Sequence, residues 1–363
     1  MKELRPDRVV FEAGTEASPI FRNLRLALPD VPFERRESSE AERSRLMAQE
    51  DPFGQAKKSL LLTRHKGEFL KKCPGSEGQV CCNYFVVNFA SNCPMDCSYC
   101  YLQEYLAQNR ALKVFANIDD LMTEAHRLLS HHRRHFFRVG TGEITDSLAL
   151  EPYIGFCREV IPFFADQPNV LLELKTKTDR VDSLLHLDPK DKVVVSWSMN
   201  PPRVIATDES LTATLEERVH AARRCQEAGY KLGFHFDPMI DYPGWEEDYR
   251  SMVSRIFDVV DARRVAWLSM GVLRQTPALK RIMRERFPET FLLTGEQVLC
   301  PDGKFRYFHP MRVAMYRKMV QWLRQAAPLS PIYLCMESKE VWQQVFGFAP
   351  RCERELGASL AAF

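Results

Sequence analysis

Through the middle of the chain, short β-rich runs alternate with stretches whose apolar residues recur at helical spacing. Strands are expected at residues 84–89, 136–141, 170–176, 193–199, 231–236 and 265–272. Between or after them, helices are expected at 118–130, 151–164, 180–187, 214–228, 245–260 and 277–287. Helix ends are signalled locally: Thr212 or Thr214 precedes Glu216-Glu217, and Gly229 stops the helix after Ala228. Six βα repeats predict an α/β fold, a partial parallel (β/α)6 barrel spanning residues 84–289. It is flanked by a charged, helical N-terminal extension (1–83) and an α-rich C-terminal extension (290–363) with helices at 311–325 and 339–346. The run Glu34-Arg35-Arg36-Glu37, continuing to Arg45, reads as an exposed helix or a mobile arm.

In parallel βα barrels the working residues sit where strands end. Here polar groups collect at those points. Gly140, Thr141, Gly142 and Glu143 end the second expected strand, Lys175 and Lys177 the third, Ser196 to Asn200 the fourth, and His235 to Asp237 the fifth. Such an accumulation marks an active-site mouth. The formal charge of +2 gives no global pull toward nucleic acid or membrane. No apolar run reaches the ~18 residues of a membrane span, and the N-terminus lacks the apolar core of a signal peptide. Eleven Cys without an export signal point to the reducing cytoplasm.

The loop after the first expected strand carries the chemistry. Cys93, Cys97 and Cys100 are spaced C-x3-C-x2-C. Three thiolates can each hold one iron of a 4Fe–4S cluster and leave the fourth iron open, whereas a ferredoxin supplies a fourth Cys nearby. None follows here until Cys157. A structural zinc site wants four ligands, usually in C-x2-4-C pairs. An open iron suits chelation by the amino and carboxylate groups of S-adenosylmethionine (SAM), whose reductive cleavage gives methionine and a 5′-deoxyadenosyl radical. The triplet resembles that of the radical SAM superfamily.

Within that superfamily the chain resembles the spore photoproduct lyase family, enzymes that reverse a thymine–thymine lesion in DNA. The words that carry the likeness are Cys97-Ser98-Tyr99-Cys100-Tyr101-Leu102-Gln103, Thr176-Lys177 with Val181-Asp182 and Leu184-Leu185, and Trp197-Ser198-Met199-Asn200. The longest is Ala228-Gly229-Tyr230-Lys231-Leu232-Gly233-Phe234, continuing to Pro238 and Gly244-Trp245, and Arg286-Phe287-Pro288 matches near the barrel's end. Residues 1–80 and 290–363 match poorly. The resemblance implies that Cys93, Cys97 and Cys100 hold the cluster. It implies that Gly140, Thr141, Gly142 and Glu143 form the strand end that meets the SAM amino group, and that Lys177 and Ser198 reach its carboxylate and ribose. Tyr99 and Tyr101 stand where two tyrosines relay a hydrogen atom, although aromatics beside a cluster also simply pack. Lesion-bearing DNA, flipped from its stack, and a flavodoxin- or ferredoxin-type electron donor are the implied partners of a monomer.

One departure stands out. The lyases carry a hydrogen-donating cysteine at the end of the second strand, and the segment from Phe137 to Asp146 has no thiol. A threonine O–H bond is too strong for Thr141 to replace it. Cys73, Cys81 or Cys82 could supply the donor or bind a second metal, while Cys300, Cys335 and Cys352 show no ligand spacing. His235 and Asp237 share the side of Gly233, so a lumen containing Glu143, Asp146, His235 and Asp237 is expected to be more polar than a pocket built for stacked thymines. Asp146, Asn200, His235 and Asp237 are the candidate substrate-pocket residues. Two alternatives stand beside lesion repair: a radical SAM enzyme acting on another nucleotide-like or small polar substrate, and a non-catalytic Fe–S protein that binds nucleic acid or senses redox state. A sensor has no use for a SAM site.

Overall fold

The computed structural model describes residues 4–76 and 78–361. Its main sheet holds all six expected strands: β1 (Tyr84–Val87), β2 (Phe137–Gly140), β3 (Val170–Thr176), β4 (Val193–Ser198), β5 (Lys231–Met239) and β6 (Val265–Val272). A seventh, β7 (Ile332–Leu334), follows. They lie side by side in chain order and all pair in parallel, as the open sheet of a partial barrel does. Leu70–Lys72 closes the β1 edge in antiparallel fashion. Registers carry Ser198, His235, Ser269 and Tyr333 across four neighbouring strands, which sets one layer of the lumen.

The crossovers pack apolar faces against this sheet. They include α1 (Ile118–His131), α2 (Phe156–Ala165), α3 (Leu215–Glu227) and α4 (Trp245–Phe257). After β6 come α5 (Pro277–Arg286) and α6 (His309–Ala326). Thr214 and Glu217 form a capping box at the start of α3, and Gly229, at φ +91°, takes the left-handed turn that ends it. Gly155 breaks the helix expected at 151–164 into Glu151–Ile154 and α2.

Three expectations need correction. Residues 180–187 form turns, not a helix. The Tyr230 hydroxyl donates to the Leu184 carbonyl at 2.8 Å, and three-residue turns close Leu184 onto Val181 and Leu187 onto Leu184. So short a segment ahead of Pro189 cannot repay helix nucleation. The N-terminal extension has helices but is built on a second sheet that it shares with the following segment, ordered Phe33–Arg36, Arg8–Glu12, Ser59–Thr63, Leu112–Phe115 and Ala90–Ser91. Its charged run is part strand and part helix, with Glu42 buried between Arg8 and Arg45. Finally, the C-terminal extension supplies β7 to the barrel, a strand too short to show any period. No described helix is long and apolar enough to cross a membrane.

Candidate functional site

The loop bearing Cys93, Cys97 and Cys100 leaves the C-terminal side of β1 and runs into the helix Leu102–Tyr105. Three parts of the chain hold it. Asp96 and Cys97 pair with Ser210 and Glu209 in a short antiparallel ladder. Ser98 donates from its backbone to the Asp208 carbonyl (2.9 Å) and from Oγ to Asp208 Oδ1 (2.5 Å). Lys57, from the N-terminal extension, donates to the carbonyls of Cys93 (2.8 Å) and Met95. Arg286, at the end of α5, bridges Asp51 and Asp96 and also reaches Gln103. Protein contacts alone thus tie the loop to the rest of the fold.

Burial raises the pKa of all three thiols, that of Cys93 up to about 12, and it outweighs the opposing charges of Lys57 and Lys177. Buried thiols of this kind become thiolates only against a metal's positive charge. Three from one loop match the donor set of a 4Fe–4S cluster with one open iron. Among the described residues, no three His, Cys, Asp or Glu side chains gather as they would around a single metal ion.

Lys177, one residue past β3, holds its ammonium 5.4 Å from the centre of the Tyr99 ring. It lies within the fields of Glu209, Cys97 and Cys100, which outweigh its desolvation and raise its pKa. Beneath it lies a pair that sequence reasoning missed. Glu209 and Arg218 have fully buried side chains and pair at 2.5 Å. Glu209 also accepts from Tyr99 Oη and from Asn200 Nδ2 (2.9 Å). Tyr101 lies on the outer rim, 45% exposed, and donates to the Glu143 carbonyl at 2.5 Å.

The strand end after β2 is glycine-rich because its neighbours occupy the space of side chains. A Cβ at Gly140 would lie 1.5 Å from Tyr84 Oη, and one at Gly142 would lie 2.6 Å from Lys175 Cβ. Lys175 pairs with Glu143. The Thr141 hydroxyl turns inward to Ser147 at 2.6 Å, so its side chain is structural. Ser198 ends β4 with its residue 8% exposed.

Deeper in the lumen, Glu173 accepts from Ser196 (2.7 Å) and Trp267 (3.2 Å) and contacts His235 Nε2 at 2.6 Å. Burial alone would raise its pKa, but His235, Arg138 and Lys175 hold it well below the carboxylate range. The Arg138 guanidinium stacks 4.2 Å from the Trp267 ring centre. Asp237 pairs with both terminal nitrogens of Arg274. His235 and Asp237 are thus engaged with Glu173 and Arg274. The Asp146 carboxylate is spent on the backbone of Leu148, Ala149 and Lys177 and on Thr176, which shapes the loop. Asn200 is likewise consumed between Glu209, Tyr99 and Tyr249.

Cys73, Cys81 and Cys82 lie close enough to perturb one another's titration, and Cys73 lies within the field of Glu143. Cys335, just past β7, is 3.9 Å from Arg274 Nη2 and near Asp237 and Glu143. Spacing could not reveal it, because strand order alone brings it to the lumen.

A family model described as spore photoproduct lyase matches residues 5–309. The spore photoproduct lyase of Geobacillus sp. (strain Y412MC61) is 26% identical over 298 residues, 80% of this chain and 85% of that protein. That of Clostridium acetobutylicum is 24% identical over 303 residues, covering 83% and 88%. Among solved structures, a spore photoproduct lyase complexed with dinucleoside spore photoproduct superposes with a TM-score of 0.79 at 23% identity, over 92% of this chain and 100% of that one. A mutant lyase with bound AdoMet and the same dinucleoside gives the same score and coverage.

Proposed function

The chain belongs to the spore photoproduct lyase family, and from that premise we propose that it repairs a thymine photolesion in DNA, with Cys93, Cys97 and Cys100 holding its 4Fe–4S cluster. Members of this family are radical SAM enzymes. When bound, the cluster and SAM supply reductive cleavage of a sulfonium and a 5′-deoxyadenosyl radical. The observation that carries the reading is the three-thiol loop seated at the C-terminal ends of parallel strands, with the Lys177 ammonium beside it.

The chain's own residues do the rest. Lys177 offers the cation for the SAM carboxylate, and Ser198 a hydroxyl for its ribose. Gly140 and Gly142 keep the strand end flush, and Glu143, paired to Lys175, is the nearby carboxylate for an amino group. Tyr99 is held by Glu209 and Asn200, so its ring is a fixed wall of the site. Tyr101 stands at the rim, where a flipped lesion enters. A flavodoxin- or ferredoxin-type protein supplies the electron to a monomer in the cytoplasm.

The ion pairs Glu143–Lys175 and Asp237–Arg274 favour a second reading, a nucleotide-like substrate more polar than stacked thymines. The test is product analysis with the anaerobic, reduced, reconstituted protein, SAM and an authentic thymine dinucleotide photoproduct. Intact thymine dinucleotide is expected. Uncoupled 5′-deoxyadenosine formation without repair would move the substrate to the second reading. Repeating the assay with Cys73→Ala, Cys81→Ala, Cys82→Ala and Cys335→Ala names the hydrogen donor as the variant that loses clean repair.

A further inference from the structure

Beside the lumen, at the same end of the sheet as the cluster loop, lies a cavity of about 650 Å³ lined by Ser76, Asp302, Lys304, Arg306, Arg312 and Ser338 among others. Its walls are the turn between the short strands Val298–Leu299 and Phe305–Arg306, the first turn of α6, and the segment after β7. The volume falls within the ~300–1,000 Å³ of small-molecule sites.

Among the described residues, the charges in this cavity do not balance. Both arginines face carboxylates, although Arg312 Nε makes no hydrogen bond. Arg306 pairs with Asp302 at 2.5 Å and donates to the Met336 carbonyl, and Arg312 faces Glu337 at 3.3 Å and donates to the Tyr307 carbonyl. Glu337 also accepts from Tyr316 at 2.9 Å. Lys304 is left with only the Ser76 hydroxyl at 2.6 Å, and no carboxylate of the described residues comes within ion-pair distance of it. Burial, with Arg274 and Arg306 close by, outweighs the field of Asp302 and lowers its pKa, so among the described residues Lys304 is a cation without an ion-pair partner. A second group is also short of a partner. Asp302 Oδ1 is buried without a hydrogen-bond donor, in a side chain only 4% exposed. Such an orphaned acceptor is costly unless a ligand supplies the hydrogen.

An anion and a hydrogen-bond donor on one molecule answer both deficits. We propose that this cavity binds a phosphate group of a nucleotide, with Lys304 as its cation and Asp302 Oδ1 accepting from a hydroxyl or N–H of the same ligand. The proposal rests on the reading of the substrate as a nucleotide and extends it. A base entering the lumen past Arg274 would place an adjoining phosphate here, so the cavity selects phosphate-bearing substrates over nucleosides.

Calorimetric titration of the full-length, reconstituted protein tests this with four probes: inorganic phosphate, thymidine 5′-monophosphate, thymidine and a short oligothymidylate. Lys304→Ala is expected to weaken the phosphate-bearing probes about ten- to a hundredfold, the worth of one charge-assisted contact. Thymidine should hardly be affected, and Lys304→Arg should restore most of the loss. Loss for the monophosphate and inorganic phosphate assigns the site to any phosphate, and loss for the oligonucleotide alone assigns it to the strand backbone. Only variants with full iron content and native melting are scored. Equal affinities of native and Lys304→Ala protein for every phosphate-bearing probe would overturn the proposal. The outcome is separable from that of photoproduct repair: native protein that repairs the lesion but binds phosphate independently of Lys304 refutes the cavity alone. Lys304-dependent binding without repair refutes the lesion alone.

Discussion

Neutralising Glu209 should unseat the cluster loop without touching a cluster ligand. In Glu209→Gln the Arg218 guanidinium stays fully buried but loses its counter-charge, and removing one partner of a buried pair typically costs ~3–5 kcal/mol. The titration of Glu209 gives a similar figure by another route. Burial acts to raise its pKa, but Arg218, Lys177 and the hydrogen bonds from Tyr99 and Asn200 bring it from 4.5 to about 2. That difference is worth about 3 kcal/mol of native stability. Because the folded pKa is depressed, the contribution is complete above the unfolded value of 4.5 and disappears as pH falls toward 2. At roughly 2 °C per kcal/mol for a long chain, Glu209→Gln should melt about 6 °C below the native protein at pH 7. The gap should shrink to less than half near pH 3 and close only below about pH 2, the folded value. Since Glu209 pairs with Cys97 and anchors Tyr99, iron retained after anaerobic reconstitution should fall as well. Adding Arg218→Met should cost less than the sum of the two single changes, by about 0.5–3 kcal/mol. Equal melting of native protein and Glu209→Gln at pH 7, with equal iron content, would refute the argument that an ionised Glu209 supports the loop.

Three further outcomes are expected. Cys97→Ala should lose the visible absorbance of the cluster and reductive SAM cleavage, and iron with activity retained would overturn the ligand assignment. Lys177→Ala should weaken SAM binding roughly ten- to a hundredfold, as one charge-assisted contact would; unchanged affinity by titration rejects the role. Gly142→Ala drives a Cβ to 2.6 Å from Lys175 Cβ and 2.8 Å from its carbonyl oxygen, an overpacking worth about 1–3 kcal/mol. A lower melting temperature and weaker SAM binding should appear together, and a native melting curve would show that the strand end yields.

Much of this protein was legible in one dimension. The six barrel strands were, because each is a run of β-formers between helical periods and local pattern decides such elements. The three thiols proposed to hold the cluster could be picked out too, because all lie within eight residues of one loop. His235 and Asp237 were readable because alternation along one strand fixes their side. What failed depended on partners distant in sequence. Residues 180–187 have helical spacing, yet the Tyr230 hydroxyl takes the Leu184 carbonyl from a helix. Asp146 and Asn200 look like lumen residues until folding spends their polar atoms on Lys177 and Glu209. Lys57, Glu209 and Arg218 carry no motif, and only the folded chain brings them, with Arg286, against the cysteine loop. Cys335 reaches the lumen because β7 docks on β6 across some sixty residues of intervening chain. Local sequence determined which segments become strands and which loop can take iron, since those depend on propensity and spacing. Tertiary structure decided which charges are paired and which side chains are free to act, since pairing depends on distances that no periodicity encodes.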